Sequence, residues 1–199
     1  MKPHRTIELW FDFSSNYCYP TIMRVESLAA LHGIAVQWRP FLLGPIFKAI
    51  GWSSSPLFLH EAKSRYVWRD MCRRAERFGL PFVQPSVFPR RTLLPMRIAT
   101  LASESSWIGE FCRLSMLAHF GANRDIDTYE AMRGILDHLA LPSAGLMADA
   151  ESETNKALLR RRTEQAMVRG VFGAPMIFVG QEMFWGDDRL EDALEWATC

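Results

Sequence analysis

Strand-like segments occur only at the two ends of this chain, and the stretch between them reads as helix. Residues 6–13, Thr-Ile-Glu-Leu-Trp-Phe-Asp-Phe, are rich in aromatic and β-branched types and alternate in part, as a largely buried strand does. Ser14, Ser15 and Asn16 follow, all good N-cap types. The apolar positions Ile22, Val25, Leu28, Ala29 and Leu31 then recur at helical spacing, and Gly33 is a natural C-cap. Residues 34–41 read as a second strand. Such a β–α–β unit predicts parallel strands joined by a right-handed crossover. At the other end, Met176–Val179 and Glu182–Trp185 flank Gly180-Gln181 as a tight hairpin, and Gly186-Asp187-Asp188 opens a last helix through Ala197.

Between these ends, residues 51–56 read as a loop and residues 57–78 as a long amphipathic helix, stopped by Gly79-Leu80-Pro81. On it, Arg65, Arg69, Arg73, Arg74 and Arg77 read as a solvated face. Pro81, Pro85 and Pro89 make 81–91 an extended connector. Further helices are expected near 92–104, 106–121, 127–140 and 150–168. The order βαβ, helices, ββα predicts an α/β fold, a thioredoxin-like core with a large all-α insertion. The core takes residues 1–42 and 166–199 and the insertion 43–165, so neither core piece is a domain alone.

Composition narrows the function. Lys and Arg total 23 against 22 Asp and Glu, a net charge of +1, which lacks the basic excess of a nucleic-acid-binding domain. The apolar runs are shorter than the roughly 20 residues that span a bilayer. No apolar stretch of a secretory signal precedes the first strand, so a cytoplasmic location is expected. Cys18, Cys72, Cys112 and Cys199 form no regular framework and read as free thiols. The five His are scattered, and no metal site is expected.

Chemistry is expected at two places. Asp12 to Tyr19 covers the carboxyl end of a strand and the start of a helix, where sites form in open α/β sheets and free N–H groups favour an anion. Gly170 to Met176 places Pro175 after small residues at the start of a strand, as a cis turn would.

Several blocks, taken in order, resemble the glutathione-dependent 2-hydroxychromene-2-carboxylate isomerase family. That family groups with kappa-class glutathione transferases and, more distantly, with bacterial disulfide oxidoreductases. The blocks are Phe11-Asp12-Phe13-Ser14-Ser15-Asn16-Tyr17, then the run from Phe41 to Ala49, Lys63-Ser64-Arg65-Tyr66, and Phe88-Pro89 through Arg97. The last two are Gly170-Val171-Phe172-Gly173-Ala174-Pro175 and Phe184-Trp185-Gly186-Asp187-Asp188-Arg189-Leu190. The resemblance implies that Ser15 is the catalytic serine of an S-P-Y motif, donating a hydrogen bond to the glutathione thiolate. It implies that Ala174 and Pro175 pair with the glutathione backbone, that Asp187 and Asp188 hold its γ-glutamyl end, and that Lys63 reaches its glycyl carboxylate. Asn16 stands where the family has Pro, and Trp52 where it has an Asn.

The implied substrate is a small aromatic acid. Tyr17, Trp52, Arg91 and Arg97 are its candidate contacts. Arg90, Arg91 and Arg97 offer bidentate forks for a carboxylate, and each reads equally well as a structural ion pair. Some of Trp10, Phe13, Tyr17, Trp52 and Trp185 are expected to line an apolar pocket, the others to fill the core. Ser15 could instead be only an N-cap, worth about 1 kcal/mol. Cys18 reads as a small buried hydrophobe, and with Ser15 in place of a first cysteine no disulfide forms within this motif. The expected activity is glutathione-dependent isomerisation. A kappa-class transferase and a non-catalytic binding protein stand as alternatives, and a homodimer is left open.

Overall fold

The computed structural model describes residues 5–51 and 61–199. Its sheet has four strands in the order β2-β1-β3-β4. β1 (Thr6–Phe11) and β2 (Ala35–Pro40) are parallel, with Leu9 opposite Trp38. β3 (Met176–Val179) runs antiparallel to β1, with Trp10 opposite Met176, and β4 (Glu182–Trp185) returns antiparallel to β3. This is the expected βαβ and ββ pairing, in one sheet.

The first crossover is α1 (Cys18–Leu31). It ends in a Schellman motif: Gly33 N–H donates to Ala30 O and Ile34 N–H to Ala29 O. Gly33 takes φ +64°, which L side chains adopt only with strain, so the expected C-cap role is explained. α1 and the last helix, α9 (Leu190–Thr198), pack on one side of the sheet. On the other side lie α2 (Leu43–Ala49), α4 (Leu93–Leu101) and α8 (Glu153–Val168). The side chains of Phe11, Phe13, Trp38, Phe41 and Phe111 are buried in one core. Phe11 meets both Phe13 and Trp38 edge-on at 5.4 and 5.5 Å between ring centroids.

Among the described residues, the segment between β2 and β3 is helical. It holds α2, α3 (Glu61–Phe78), α4, α5 (Ile108–Met116), a π-helical turn Leu117–Gly121, α6 (Tyr129–His138), α7 (Ser143–Ala150) and α8. Two of these differ from the sequence reading. α2 was not expected, because Gly44 and Pro45 at its start give no helical signal. Its first N–H, on Leu43, is satisfied by Asp12 Oδ2 at 2.8 Å, a partner 31 positions earlier. α7 was likewise not expected, since the sequence reading assigns residues 141–149 to no element. The boundary at 165/166 falls inside α8, which packs against β2, α2 and α4. No described helix is long and apolar enough to cross a membrane.

Candidate active site

The site grows from the end of β1. Asp12 is almost fully buried, and its carboxylate gathers three donors. Ser14 N–H and Thr92 Oγ1 donate to Oδ1 at 2.9 and 3.1 Å, and Leu43 N–H donates to Oδ2. Burial raises the Asp12 carboxyl above the usual range, and these hydrogen bonds offset part of that rise. Asp12 thus ties β1, the start of α2 and the residue before α4 into a rigid base under the following turn. The sequence reading placed no role on it.

In that turn Ser15 N–H donates to Asp12 O at 3.0 Å. The Ser15 side chain does not cap α1. The N-cap position is Tyr17, which makes no side-chain capping bond. Instead, Ser15 Oγ donates to Ala174 O at 2.7 Å. Ala174–Pro175 is a cis peptide bond, as expected, and Phe88–Pro89 is a second one. The loop that carries Ala174 leaves α8 through another Schellman motif, with Val171 N–H on Ala166 O and Gly170 at φ +78°. After it, Gly186 N–H donates to Pro175 O at 3.1 Å. Ser15, Ala174 and Pro175 are therefore brought together at the start of α1.

Cys18 lies one turn further on, fully buried, and burial pushes its thiol well above the ordinary range. It is an inert packing group, as the sequence suggested. The Tyr17 hydroxyl donates to Asp70 Oδ2 at 3.0 Å, joining the turn to α3. Burial and the Asp70 carboxylate raise the Tyr17 phenol strongly, so it stays protonated.

Asp187 departs from its expected role. Its side chain is fully buried and accepts from Thr21 Oγ1 at 3.1 Å and Arg24 Nη2 at 2.8 Å. Arg74 Nε donates to it at 2.6 Å, and Arg74 Nη2 joins the same oxygen. With two guanidinium partners, this carboxylate is spent on holding α1 and α3 to the turn Asp187–Arg189. Arg74 accordingly leaves the solvated face assigned to α3. Asp188 is different: its carboxylate is exposed, with Arg189 Nε 3.9 Å away.

The remaining candidates scatter. Lys63 is exposed on α3. Trp52 lies outside the described residues. Arg91 pairs with Asp127 at 3.2 Å and Arg97 with Glu151 at 3.5 Å. Arg90 is structural, donating to Arg124 O and Asn123 O. Phe13 belongs to the core. Trp10 lines an open groove with Glu8, Arg39 and Arg169, of which Ser15 is not part. Trp185 is exposed, packs edge-on to Phe172 at 5.0 Å, and lies across Gly173 next to Ala174. A side chain at Gly173 would meet the Trp185 Nε1 at 2.5 Å.

For glutathione the fit divides by region. The start of α1 and the Ala174 main chain offer polar groups to a thiol and a peptide, and Asp188 offers an exposed carboxylate to an ammonium group. Asp187 does not. No group of three or more His, Cys, Asp or Glu able to hold a metal occurs among the described residues.

Comparison with known proteins bears on the fold and the family. Residues 6–195 match the model of a DSBA-like thioredoxin domain. The 2-hydroxychromene-2-carboxylate isomerase of Sphingobium xenophagum is 28% identical over 189 residues, 94% of this chain and 95% of that protein. Glutathione s-transferase kappa 2 of Caenorhabditis elegans is 22% identical over 204 residues, 96% of this chain and 90% of that protein. A solved structure of 2-hydroxychromene-2-carboxylate isomerase matches with a TM-score of 0.85 at 23% identity, covering 93% of this chain and 90% of that one.

Proposed function

Since the chain belongs to the family of DSBA-like thioredoxin domains, we propose that it is a glutathione-dependent isomerase acting on an aromatic hydroxy or keto acid. The observation that carries this reading is the Ser15 hydroxyl against the carbonyl before Pro175. A serine at this position, with Cys18 buried and protonated, cannot run dithiol–disulfide exchange. It can hold the sulfur of a bound thiol.

When bound, glutathione supplies a sulfur nucleophile that adds reversibly to a conjugated carbon, so that a C=C bond becomes rotatable and re-forms in the other geometry. The chain's part is to bind, orient and keep that sulfur ionised. Ser15 turns its hydroxyl from Ala174 O to the sulfur, at a helix start that carries roughly half a positive charge. A free thiol has a pKa of about 8.5, and such surroundings lower it. The main chain at Ala174, released from Ser15, pairs with the glutathione peptide as an added strand.

Asp188 takes the γ-glutamyl ammonium, and Lys63 the glycyl carboxylate. Asp187 keeps the supporting turn in place through Arg24 and Arg74. Tyr17 and the exposed pair Phe172 and Trp185 contact the aromatic ring, and the Arg91 or Arg97 guanidinium its carboxylate. The reading places the enzyme in the cytoplasm, where its four free thiols stay reduced.

The test has two arms. Glutathione at 100 times its dissociation constant should stabilise the protein against heat by about 2.7 kcal/mol. Isomer interconversion of the aromatic acid should then require glutathione without consuming it. Consumption of thiol as a stable adduct would make the protein a transferase. Binding with no turnover would make it a binding protein.

A further inference from the structure

The Ser15 hydroxyl has one proton, and that proton goes to Ala174 O at 2.7 Å. The next residue holds donors that go nowhere. Asn16 is 5% exposed, and its Nδ2 is enclosed with no hydrogen-bond partner among the described residues. A buried amide without a partner is uncommon in folded proteins, and a water, an ion or a ligand can complete it. The main chain repeats the pattern. Ser15 N–H is taken by Asp12 O, and Cys18 N–H by Ser15 O. The N–H groups between them, on Asn16 and Tyr17, make no hydrogen bond among the described residues. They are the orphan donors of a helix start. α1 has 14 residues, enough to give that end a real dipole.

We propose that Asn16 is a second sulfur-binding residue, whose side-chain amide and main-chain N–H donate to the glutathione thiolate beside Ser15. This rests on the functional reading above. The thiol proton leaves to solvent, and the resulting anion meets three kinds of donor: the Ser15 hydroxyl, the Asn16 amide and the main-chain N–H groups. A proline at position 16 would bring neither a side-chain nor a main-chain donor. The ionisable groups around this turn are Asp12, Tyr17 with Asp70 and Arg74, Cys18, and Asp187 with Arg24. None of them bonds to Asn16. The amide is therefore engaged by none of these charges, and a sulfur anion bound beside Ser15 is the partner it would take.

The experiment is an ultraviolet titration of thiolate in the glutathione complex of the whole chain, wild type against Asn16→Leu, with Asn16→Ala as a smaller replacement should Leu not fold. Heat stability in glutathione is measured first. Both variants should fold at least as stably as wild type, because they remove a buried donor that lacks a partner. Both should still bind glutathione. The apparent pKa of the bound thiol should rise by about one unit, leaving tenfold less thiolate at low occupancy. A titration coincident with wild type, with glutathione bound, overturns the role of Asn16 and leaves the functional reading standing. A wild-type protein that glutathione does not stabilise overturns both.

Discussion

The Ser15 hydroxyl and the Ala174 carbonyl stand 159 positions apart in sequence and 2.7 Å apart in space. Their meeting follows from the antiparallel pairing of β1 with β3, which sets Trp10 opposite Met176 and so brings the loop after one strand beside the loop before the other. One hydrogen bond thereby closes the site, and it engages the same hydroxyl that a bound sulfur would use. Ligand binding must exchange one partner for the other.

Replacing Ser15 by Ala should leave the fold intact at a cost of about 1 kcal/mol for the lost bond. Turnover at neutral pH should fall strongly. Removing a hydrogen bond from a charged group costs about 1.5–3 kcal/mol, a thiol pKa rise of roughly one to two units. The defect should shrink as pH rises and the thiol ionises unaided. A pH–rate profile checks this, and full activity at neutral pH would reduce Ser15 to a structural contact.

Asp187→Asn should be among the most damaging single changes away from the aromatic core. It removes the anion shared by Arg24 and Arg74, leaving Arg24 with the more exposed Glu191 and Arg74 without its buried partner. Breaking a buried pair in this way costs about 3–5 kcal/mol. Arg74→Met should cost less, since Asp187 keeps Arg24 and Thr21. Urea midpoints of the two variants give the order, and equal midpoints would contradict it.

His119 should make the protein acid-sensitive. It is buried on the π-helical turn, and neither ring nitrogen has a partner among the described residues. Burial, helped by the Arg90 charge, lowers its pKa from 6.5 to about 4. Between these values the unfolded chain binds the proton and the folded chain does not. The contribution of the neutral ring is therefore complete above about pH 6.5 and is lost as pH falls, by at most about 3 kcal/mol. His119→Phe should remove this slope, read as the difference between wild-type and variant unfolding energies at pH 7 and pH 4.5.

Asp12→Ala should destabilise by about 3 kcal/mol, because Ser14 N–H, Leu43 N–H and Thr92 Oγ1 all lose their acceptor. Hydrogen exchange should show the damage first at α2, whose leading N–H depends on it. The pH sign is opposite to that of a salt-bridged carboxylate. The Asp12 pKa is raised, so the folded state holds its proton more tightly, and stability falls as pH rises through the window above 3.8.

Local sequence signals were enough to place the strands, the parallel β1–β2 and antiparallel β3–β4 pairs, and the start of the site. Residues 6–13 and 34–41 carry strand composition, Gly33 ends a helix with a left-handed residue, and Pro175 follows small residues. These are local signals, and β1, α1, β2, β3 and β4 formed where they point. Tertiary structure alone decided which distant polar groups meet. α2 has no local helical signal, and its first N–H is met by Asp12. Nothing local to Asp187 points to its two cations, Arg24 of α1 and Arg74 of α3, which neutralise it where it is buried. Ser15 could be read as the catalytic serine or as a helix cap, and only the fold showed its hydroxyl on Ala174 O. Pattern along a chain encodes which face of an element is buried. It does not encode which partner a buried charge or hydroxyl takes, because that choice is made only when desolvation forces groups from separate elements to pair.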